Sequence, residues 1–296
     1  MGDAVQMSAV LRHVVKYRPH CRMYFQAEEG RHQIGRGICA ATFAYGSISS
    51  PLHYDAEVQI RLYDKWWNFH DRPNTRVSSC LREHFDLNWD AECGRYQVEV
   101  SPEAERSAKY GVGTVWCKGQ RAVAFHYRGD SAPEMKNLSH TQGADICDDI
   151  LKLRYTPLLL DWRDEWPIAS ESGVRTVARD QWNQPCHVAR RWGGDAEMNC
   201  AVIQQCAAFV GIDSGPAKCA SATDTPSLVI WTGHHPAPFH DPATNTTHLV
   251  PVDYHDMHPV YGDQGVTKWF DDHYKVWYYN GDIVGRVKDW LKETIK

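Results

Sequence analysis

The chain has 296 residues, enough for roughly two domains of about 150 residues, each with its own apolar core. Its formal net charge is -5 and its basic residues form no cluster, which excludes a general affinity for nucleic acid and leaves at most a peripheral membrane contact. No stretch approaches the about 20 apolar residues of a membrane span, and the start lacks the pattern of a signal peptide. The ten cysteines are scattered without a C-x-x-C pair, so we expect a reduced, cytoplasmic protein.

The first half of the chain predicts an irregular mixture of helices and strands. Val5, Val10, Leu11 and Val14 recur near helical spacing and predict a helix close to the start. Pro102 suits the first position of another helix. The other elements predicted here are strands at 21–25, 58–63 and 96–100 and a helix at 77–85.

The second half alternates strands with helices more regularly. Strands are predicted at 121–127, 157–161, 209–212 and 227–231, and helices at about 141–153, 195–208 and 281–295. This alternation indicates a parallel sheet that is covered on both faces and binds ligands at the carboxyl ends of its strands. A boundary near 113–120 gives an N-terminal domain over 1–117 and a C-terminal domain over 118–296, whose last helix packs back across the domains.

The strongest local signal is the turn that follows the predicted strand at 209–212. Asp213 stands at the end of the strand, Ser214 and Gly215 form a tight turn, and Pro216 suits the first position of a short helix rich in small residues. A glycine turn before a helix lets a phosphate approach the backbone N–H groups. The alternative is an ordinary strand-to-helix turn with Ser214 as its N-cap.

This turn belongs to a longer pattern that resembles the heptosyltransferases of glycosyltransferase family 9. The family carries an apolar strand, Asp-Thr/Ser-Gly-Pro-x-His, an Ala-rich helix and a Thr-Pro strand, and this chain matches with Asp213–Pro216 and then 224–226. The resemblance implies an α/β fold with two Rossmann-like domains (GT-B) facing a central cleft, in which the turn holds the donor's diphosphate and sugar. Lys218 stands where the family has histidine, and a lysine can still meet phosphate as a point charge.

Two further matches concern charged residues near strand ends. The loop FHYRGDSAPEMKNLSH resembles the family's polar loop after the first strand of the second domain, which makes Arg128 and Lys136 candidate phosphate ligands; the alternative is two solvated loop cations. The family also begins with a strand, a Gly-Asp turn and a helix with a Leu-Arg pair and a later proline. Asp3, Leu11-Arg12 and Pro19 agree, so Asp3 is implied as the general base, or else it only caps the first helix.

In that comparison the first strand of the N-terminal domain is missing. The Gly-Asp pair follows directly on Met1, whereas the family places a strand before it. We expect a missing segment of about ten residues, the length of a strand and its lead-in. A sheet that lacks its middle strand is the alternative.

Weaker candidates complete the set of predicted site residues. Glu165, with Asp161 and Trp162, lies where relatives place a ribose-binding carboxylate. Trp192-Gly193-Gly194 and His234-His235 could flank the base and the cleft, although both are typical of structural loops. No D-x-D motif, P-loop or G-x-S-x-G elbow occurs, and no histidine set has the spacing of a zinc site, so we expect a metal-independent enzyme without a cofactor.

The sequence therefore predicts an inverting glycosyltransferase. It would move a heptose-like sugar from a nucleoside-diphosphate donor, of which ADP-heptose is the one the resemblance implies, to a glycan or glycolipid acceptor of the kind used in lipopolysaccharide biosynthesis. We expect a monomer. The alternatives are a catalytically inactive nucleotide-sugar-binding protein of the same fold and a nucleotide-sugar epimerase, which would need a dinucleotide fingerprint that the sequence lacks.

Overall fold

A seven-stranded, fully parallel sheet dominates the computed structural model, which describes residues 1–27, 31–44, 58, 76–117, 119–130, 132–160, 175–176, 195–233, 236, 239–253 and 271–295. The strands are β3 (Ala122–His126), β4 (Thr156–Leu159), β5 (Arg175–Thr176), β6 (Ala208–Ile212), β7 (Ser227–Ile230), β8 (Thr246–Pro251) and β9 (Lys275–Tyr279). Their order is β5-β4-β3-β6-β7-β8-β9 and each neighbouring pair is parallel. This is the order of a doubly wound sheet, which reverses its direction of winding between β3 and β6.

Nine α-helices accompany the sheet within the described residues. They are α1 (Gly2–Tyr17), α2 (Arg76–Phe85), α3 (Ala91–Gly94), α4 (Pro102–Tyr110), α5 (Pro133–Lys136), α6 (His140–Lys152), α7 (Ala196–Gln204), α8 (Gly215–Ser221) and α9 (Ile283–Thr294). A 3-10 turn (His32–Gly35) and a π-helical turn (Gly111–Trp116) add to them, and β1 (Tyr24–Ala27) pairs in parallel with β2 (Ala41–Ala44). None of the described helices has the length and apolarity needed to cross a membrane.

Alternate residues of the sheet serve two different apolar cores. Val123 and Phe125 point to one face, where they pack with α6 and α9. Ala122 and Ala124 point to the other face, toward α7 and α8. Because both faces are covered, the central strands are mostly apolar, and β3, β4, β6 and β7 are buried along their whole length.

The N-terminal elements form a further layer on α7 and α8. Helix α1 packs on α8 and helix α4 packs on α7. One apolar cluster runs from the sheet through α7 and α8 to Val5, Val10 and Val14 of α1. This packing carries the start of the chain to the carboxyl-end edge of the large sheet. The predicted division between residues 117 and 118 falls just before β3.

Most predicted elements are present, and the second half agrees best. The strands and helices predicted between residues 121 and 231 correspond to β3, α6, β4, α7, β6 and β7, and the C-terminal helix is α9. In the first half, α1, β1, α2 and α4 match their predictions within a few residues. The predicted strand at 58–63 lies outside the described residues except for Val58. Helix α1 begins at Gly2, so Gly2 and Asp3 form its first turn.

One predicted strand is wrong. Residues 96–100 alternate in burial as a strand would, but they form no ladder with any described strand. Two of their polar contacts are with α1: the Gln97 backbone N–H donates to Ser8 Oγ at 2.8 Å, and the Tyr96 hydroxyl accepts from Gln6 Nε2 at 3.1 Å. The burial of these side chains therefore alternates because one side of the segment is covered by a helix. It does not show that the backbone is paired with another strand.

The docking of α9 on the sheet gives a direct test of the fold. Leu291 is fully buried in the core beneath α9, whereas the next residue, Lys292, is exposed. Leu291→Ala should lower the free energy of unfolding by about 2–5 kcal/mol, because it leaves a cavity in a packed interface. Lys292→Ala, the matched control, should change it by less than about 0.5 kcal/mol. Denaturant titration measures both, and equal values for the two variants would contradict this packing.

Candidate functional site

The candidate site lies where β3 and β6 end side by side. Phe125 pairs with Val210 and His126 with Gly211, so the two strands finish at the same level. Two loops leave this edge in different directions, one from Tyr127 toward α5 and the other from Asp213 into α8. Doubly wound sheets usually bind ligands in a crevice at such a reversal of winding, at the carboxyl ends of the strands.

The central feature of the crevice is a carboxylate held between two ammonium groups. Asp213 Oδ1 accepts from Lys218 Nζ at 2.9 Å, and Asp213 Oδ2 accepts from Lys136 Nζ at 3.0 Å. Lys218 comes from α8, one turn after the aspartate, while Lys136 comes from the end of α5. The structure thus brings together three of the predicted residues, which lie up to 82 positions apart in the chain.

Burial makes this charge arrangement strong. Burial by itself would raise the pKa of Asp213, but the positive charges of Lys218 and Lys136 outweigh burial and hold that pKa well below its usual range. Burial also lowers the pKa of Lys218, against the opposing charge of Asp213. Two lysines share one carboxylate, so the trio keeps a formal charge of about +1 for an incoming anion.

The two lysines differ in access. The Lys218 side chain is 5% exposed and its Nζ lies 5.6 Å from the Trp231 ring centroid, so the protein surrounds it. The Lys136 side chain is 17% exposed, and its Nζ lies 5.9 Å from the centroid of Phe239. Lys136 is therefore not a solvated loop cation, and it is the lysine of the pair that a ligand in the crevice reaches first.

Hydrogen bonds within the β3–α6 loop fix the place of Lys136. Asn137 ties the loop to itself, since its Oδ1 accepts from the Gly129 backbone N–H at 2.7 Å and its Nδ2 donates to the Gly129 carbonyl at 3.3 Å. The Leu138 N–H donates to the Tyr127 carbonyl at 3.1 Å and closes the loop. On the other side the Thr232 hydroxyl donates to the Met135 carbonyl at 2.5 Å, which joins α5 to the segment after β7.

The floor of the crevice is a histidine and a serine. Ser214 Oγ lies 3.1 Å from Nδ1 of His126 and 3.1 Å from the carbonyl of Ile212. Burial lowers the pKa of His126 to about 3, so the ring is neutral at physiological pH. Ser214 is the residue before α8, but its side chain does not cap the helix; it bonds to β3 and β6 instead. Ser214 thus stands at the N-cap position, as the alternative of an ordinary turn has it, but without a side-chain cap hydrogen bond.

The first turn of α1 reaches the same place. A Cβ built on Gly2 would lie 3.4 Å from Lys218 Cγ and 3.6 Å from Gly215 Cα, so the helix start is in van der Waals contact with the turn after β6. A Cβ on Gly215 would come within 2.9 Å of Met1 Cβ, so only glycine fits there. Asp3 follows directly, and its Oδ1 accepts from Arg76 Nη1 at 2.7 Å.

The remaining predicted residues have different surroundings. Pro216 is buried in the first turn of α8, which confirms its predicted place at the start of a helix. Arg128 is exposed and makes no ion pair within the described part of the chain, so its contact with phosphate stays a prediction. Glu165, with the neighbouring 161–162, lies outside the described residues, as do 192–194 and 234–235.

Besides His126, three residues of the site were not predicted. Arg76 pairs with Asp3, and its Cζ lies 4.7 Å from the Phe239 ring centroid; the ring of Trp231 faces Lys218. Trp231 is the last residue of a predicted strand. The rule that ligands bind at the carboxyl ends of parallel strands would have identified it. Arg76, at the start of α2, and Phe239, in a loop after β7, carry no such local signal, because both are distant in sequence from the residues that they contact.

Comparison with known proteins supports the fold. No protein-family model and no curated protein matches the chain. Among solved structures, a glycosyl transferase family 9 protein from Veillonella parvula is similar with a TM-score of 0.58 at 12% identity, over 99% of this chain and 93% of that one. The E. coli heptosyltransferase WaaC with ADP gives 0.51 at 11% identity, over 99% and 97%.

A third structure is the dodecameric iron-containing heptosyltransferase TibC in complex with ADP-D-β-D-heptose. It gives a TM-score of 0.54 at 11% identity, over 98% of this chain and 74% of that one. The chain therefore has the α/β fold of these glycosyltransferase structures, with parallel sheets, as the resemblance in its sequence implies.

The buried histidine makes stability depend on pH. An unfolded histidine binds a proton below about pH 6.5, whereas folded His126 binds one only near pH 3, so the free energy of unfolding falls as pH drops through this window. The contribution of this one proton is at most about 1.4 kcal/mol per pH unit. His126→Gln should flatten the stability curve between pH 4.5 and 6.5 by up to that slope, as measured by denaturant titration.

The control is His20→Gln, at an exposed position after α1. It should leave the wild-type slope unchanged. If the curve of His126→Gln runs parallel to that of the wild type, the imidazole is not held neutral at the end of β3.

Proposed function

We propose that this chain is an inverting glycosyltransferase that takes a sugar from a nucleoside-diphosphate donor and transfers it to a hydroxyl group of a glycan or glycolipid. The observation that carries this proposal is the trio of Asp213, Lys136 and Lys218 at the edge of the sheet, with its surplus positive charge. A diphosphate is the part of such a donor that needs compensating charge, and it needs more as the nucleotide departs.

The two lysines have different roles in this proposal. Lys218 is enclosed and stays with Asp213, so the carboxylate remains compensated when a ligand arrives. Lys136 is then free to exchange Asp213 Oδ2 for a phosphate oxygen, a move of one flexible side chain. The turn at Ser214 and Gly215 lies next to the pair and lines the path of the diphosphate, with Arg128 on the outer side of the loop.

The solved structures of this fold suggest which donor to test first. WaaC is described with ADP and TibC with ADP-D-β-D-heptose. We therefore propose an ADP-linked heptose-like sugar as donor and, because another similar structure is named an ADP-heptose lps heptosyltransferase, a lipopolysaccharide-type acceptor. The proposed donor site uses lysines in place of a metal.

The proposed reaction is a single displacement. The acceptor oxygen forms a bond to the anomeric carbon from the face opposite the diphosphate, while the bond from that carbon to the phosphate oxygen breaks and its electron pair leaves with the nucleoside diphosphate. Asp3 takes the proton of the attacking hydroxyl, and Lys136 meets the charge that develops on the diphosphate. One displacement inverts the anomeric configuration.

A binding experiment tests the donor site. Titration calorimetry with ADP should give a binding isotherm for the wild type, and Lys136→Met should weaken the affinity by roughly tenfold to a hundredfold, the usual cost of losing one charged hydrogen bond. Lys109→Met, at an exposed position on α4, is the control and should bind as the wild type does. Equal affinities for all three proteins would contradict the assignment of Lys136.

A turnover experiment separates an enzyme from an inactive binding protein of the same fold. One observation favours the inactive binding protein: Arg76 already donates to Oδ1 of Asp3, the proposed base. The probe is ADP-D-β-D-heptose with heptose-free lipopolysaccharide, and release of ADP together with transfer of heptose supports the enzyme. Binding of the donor without release of ADP, with this acceptor or with water, would support the inactive protein.

A further inference from the structure

The carboxylate of Asp3 is held at one oxygen and open at the other. Oδ1 accepts from Arg76 Nη1 at 2.7 Å, while no described residue donates to Oδ2. The side chain of Asp3 is 48% exposed, whereas that of Arg76 is 13% exposed. A ligand can therefore reach Oδ2, while the bond at Oδ1 limits rotation of the carboxylate.

Arg76 is itself held in place by an aromatic ring. It is the first residue of α2, and its Cζ lies 4.7 Å from the centroid of Phe239. The Nε of Arg76 is buried and finds no acceptor among the described residues, so the guanidinium is positioned by the ring and by Asp3. A cation over an aromatic face is stabilised by the ring quadrupole, most strongly where water is excluded.

The backbone of Phe239 closes a ring of contacts back to α1. Its carbonyl accepts from Gln6 Nε2 at 2.9 Å, and Gln6 lies on α1 one turn after Asp3. The same Nε2 lies 3.1 Å from the Tyr96 hydroxyl, which donates to Asp241 at 2.9 Å. The start of α1 is thus attached to the Phe239 segment twice, through Arg76 on one side and through Gln6 on the other.

We infer that Arg76 is a positioning residue: it fixes Oδ1 of Asp3 so that Oδ2 faces the acceptor hydroxyl. This inference rests on the proposed function, in which Asp3 is the base. A base that is oriented by a third group loses less freedom in the transition state, as in other nucleophile–base–orienter arrangements. Phe239 serves as the platform that keeps the guanidinium in line with Asp3.

The alternative is that Arg76 only joins α1 to α2. A purely structural joint would, on removal, lower the thermal midpoint and affect binding of the donor as much as turnover. A positioning residue would lower kcat and leave the KM for the donor nearly unchanged. A lysine at this position keeps one charged donor and should restore part of the lost kcat. A contact that depends only on the shape of the arginine side chain would not be restored by lysine.

The experiment measures ADP release from ADP-D-β-D-heptose, with heptose-free lipopolysaccharide as acceptor, for the wild type, Asp3→Asn, Arg76→Gln and Arg76→Lys. Arg76→Gln should reduce kcat by roughly 10- to 100-fold with a KM for the donor within about threefold of the wild type, because misplacing a base costs about this much. Its kcat should lie between those of the wild type and Asp3→Asn, and Arg76→Lys should lie above Arg76→Gln. The control Arg82→Gln, at an exposed position on α2, should match the wild type.

The outcomes separate the two proposals. A wild type that releases no ADP from any nucleotide sugar it binds would overturn the proposed function, and this role with it. An active wild type with an unchanged kcat in Arg76→Gln would overturn only the role of Arg76. Should Arg76→Gln fail to fold, Phe239→Leu, which removes the ring beneath the guanidinium, decides: a reduced kcat with an unchanged KM for the donor supports positioning, and a wild-type kcat contradicts it.

Discussion

A buried carboxylate that is bonded to two lysines is the interaction on which the account of this site depends. An isolated charge at the position of Asp213 would be costly to bury, and here Lys218 and Lys136 each occupy one of its oxygens. The enclosed Lys218 is enough to compensate the charge of Asp213, and Lys136 adds a second ion pair from another loop. These two contacts hold α8 against the end of β6 and the β3–α6 loop against the same point, and they leave a surplus positive charge at the opening.

The winding of the sheet makes this arrangement available. Parallel strands β3 and β6 are neighbours, but their following segments diverge, so side chains from two loops meet at the carboxyl-end edge. The packing of α1 on α8 adds Asp3 to this edge from the other side. A proposed base and a proposed diphosphate ligand therefore approach one crevice from separate parts of the chain, joined through the stacking of Arg76 and Lys136 on Phe239.

The sequence predicted the centre of the fold better than its edges. Strands such as β3 and β6 are apolar on both faces, except for His126 at the end of β3, which makes them easy to recognise. The outer strands β8 and β9 were missed, since polar and aromatic residues interrupt them, and the extended segment at 96–100 was mistaken for a strand. In the site, Asp213, Lys136 and Lys218 were identified from the resemblance, but Arg76 was not, because its partner Asp3 lies 73 residues away.

A crystal structure of the protein soaked with ADP tests the central claim most directly. If the surplus charge at Asp213 is a diphosphate site, the phosphates should lie between the Ser214–Gly215 turn and Lys136, with Nζ of Lys136 moved from Asp213 Oδ2 to a phosphate oxygen at about 2.7–2.9 Å. Lys218 should remain on Asp213 Oδ1. A diphosphate bound elsewhere, or bound here while Lys136 keeps its bond to Asp213, would contradict the account.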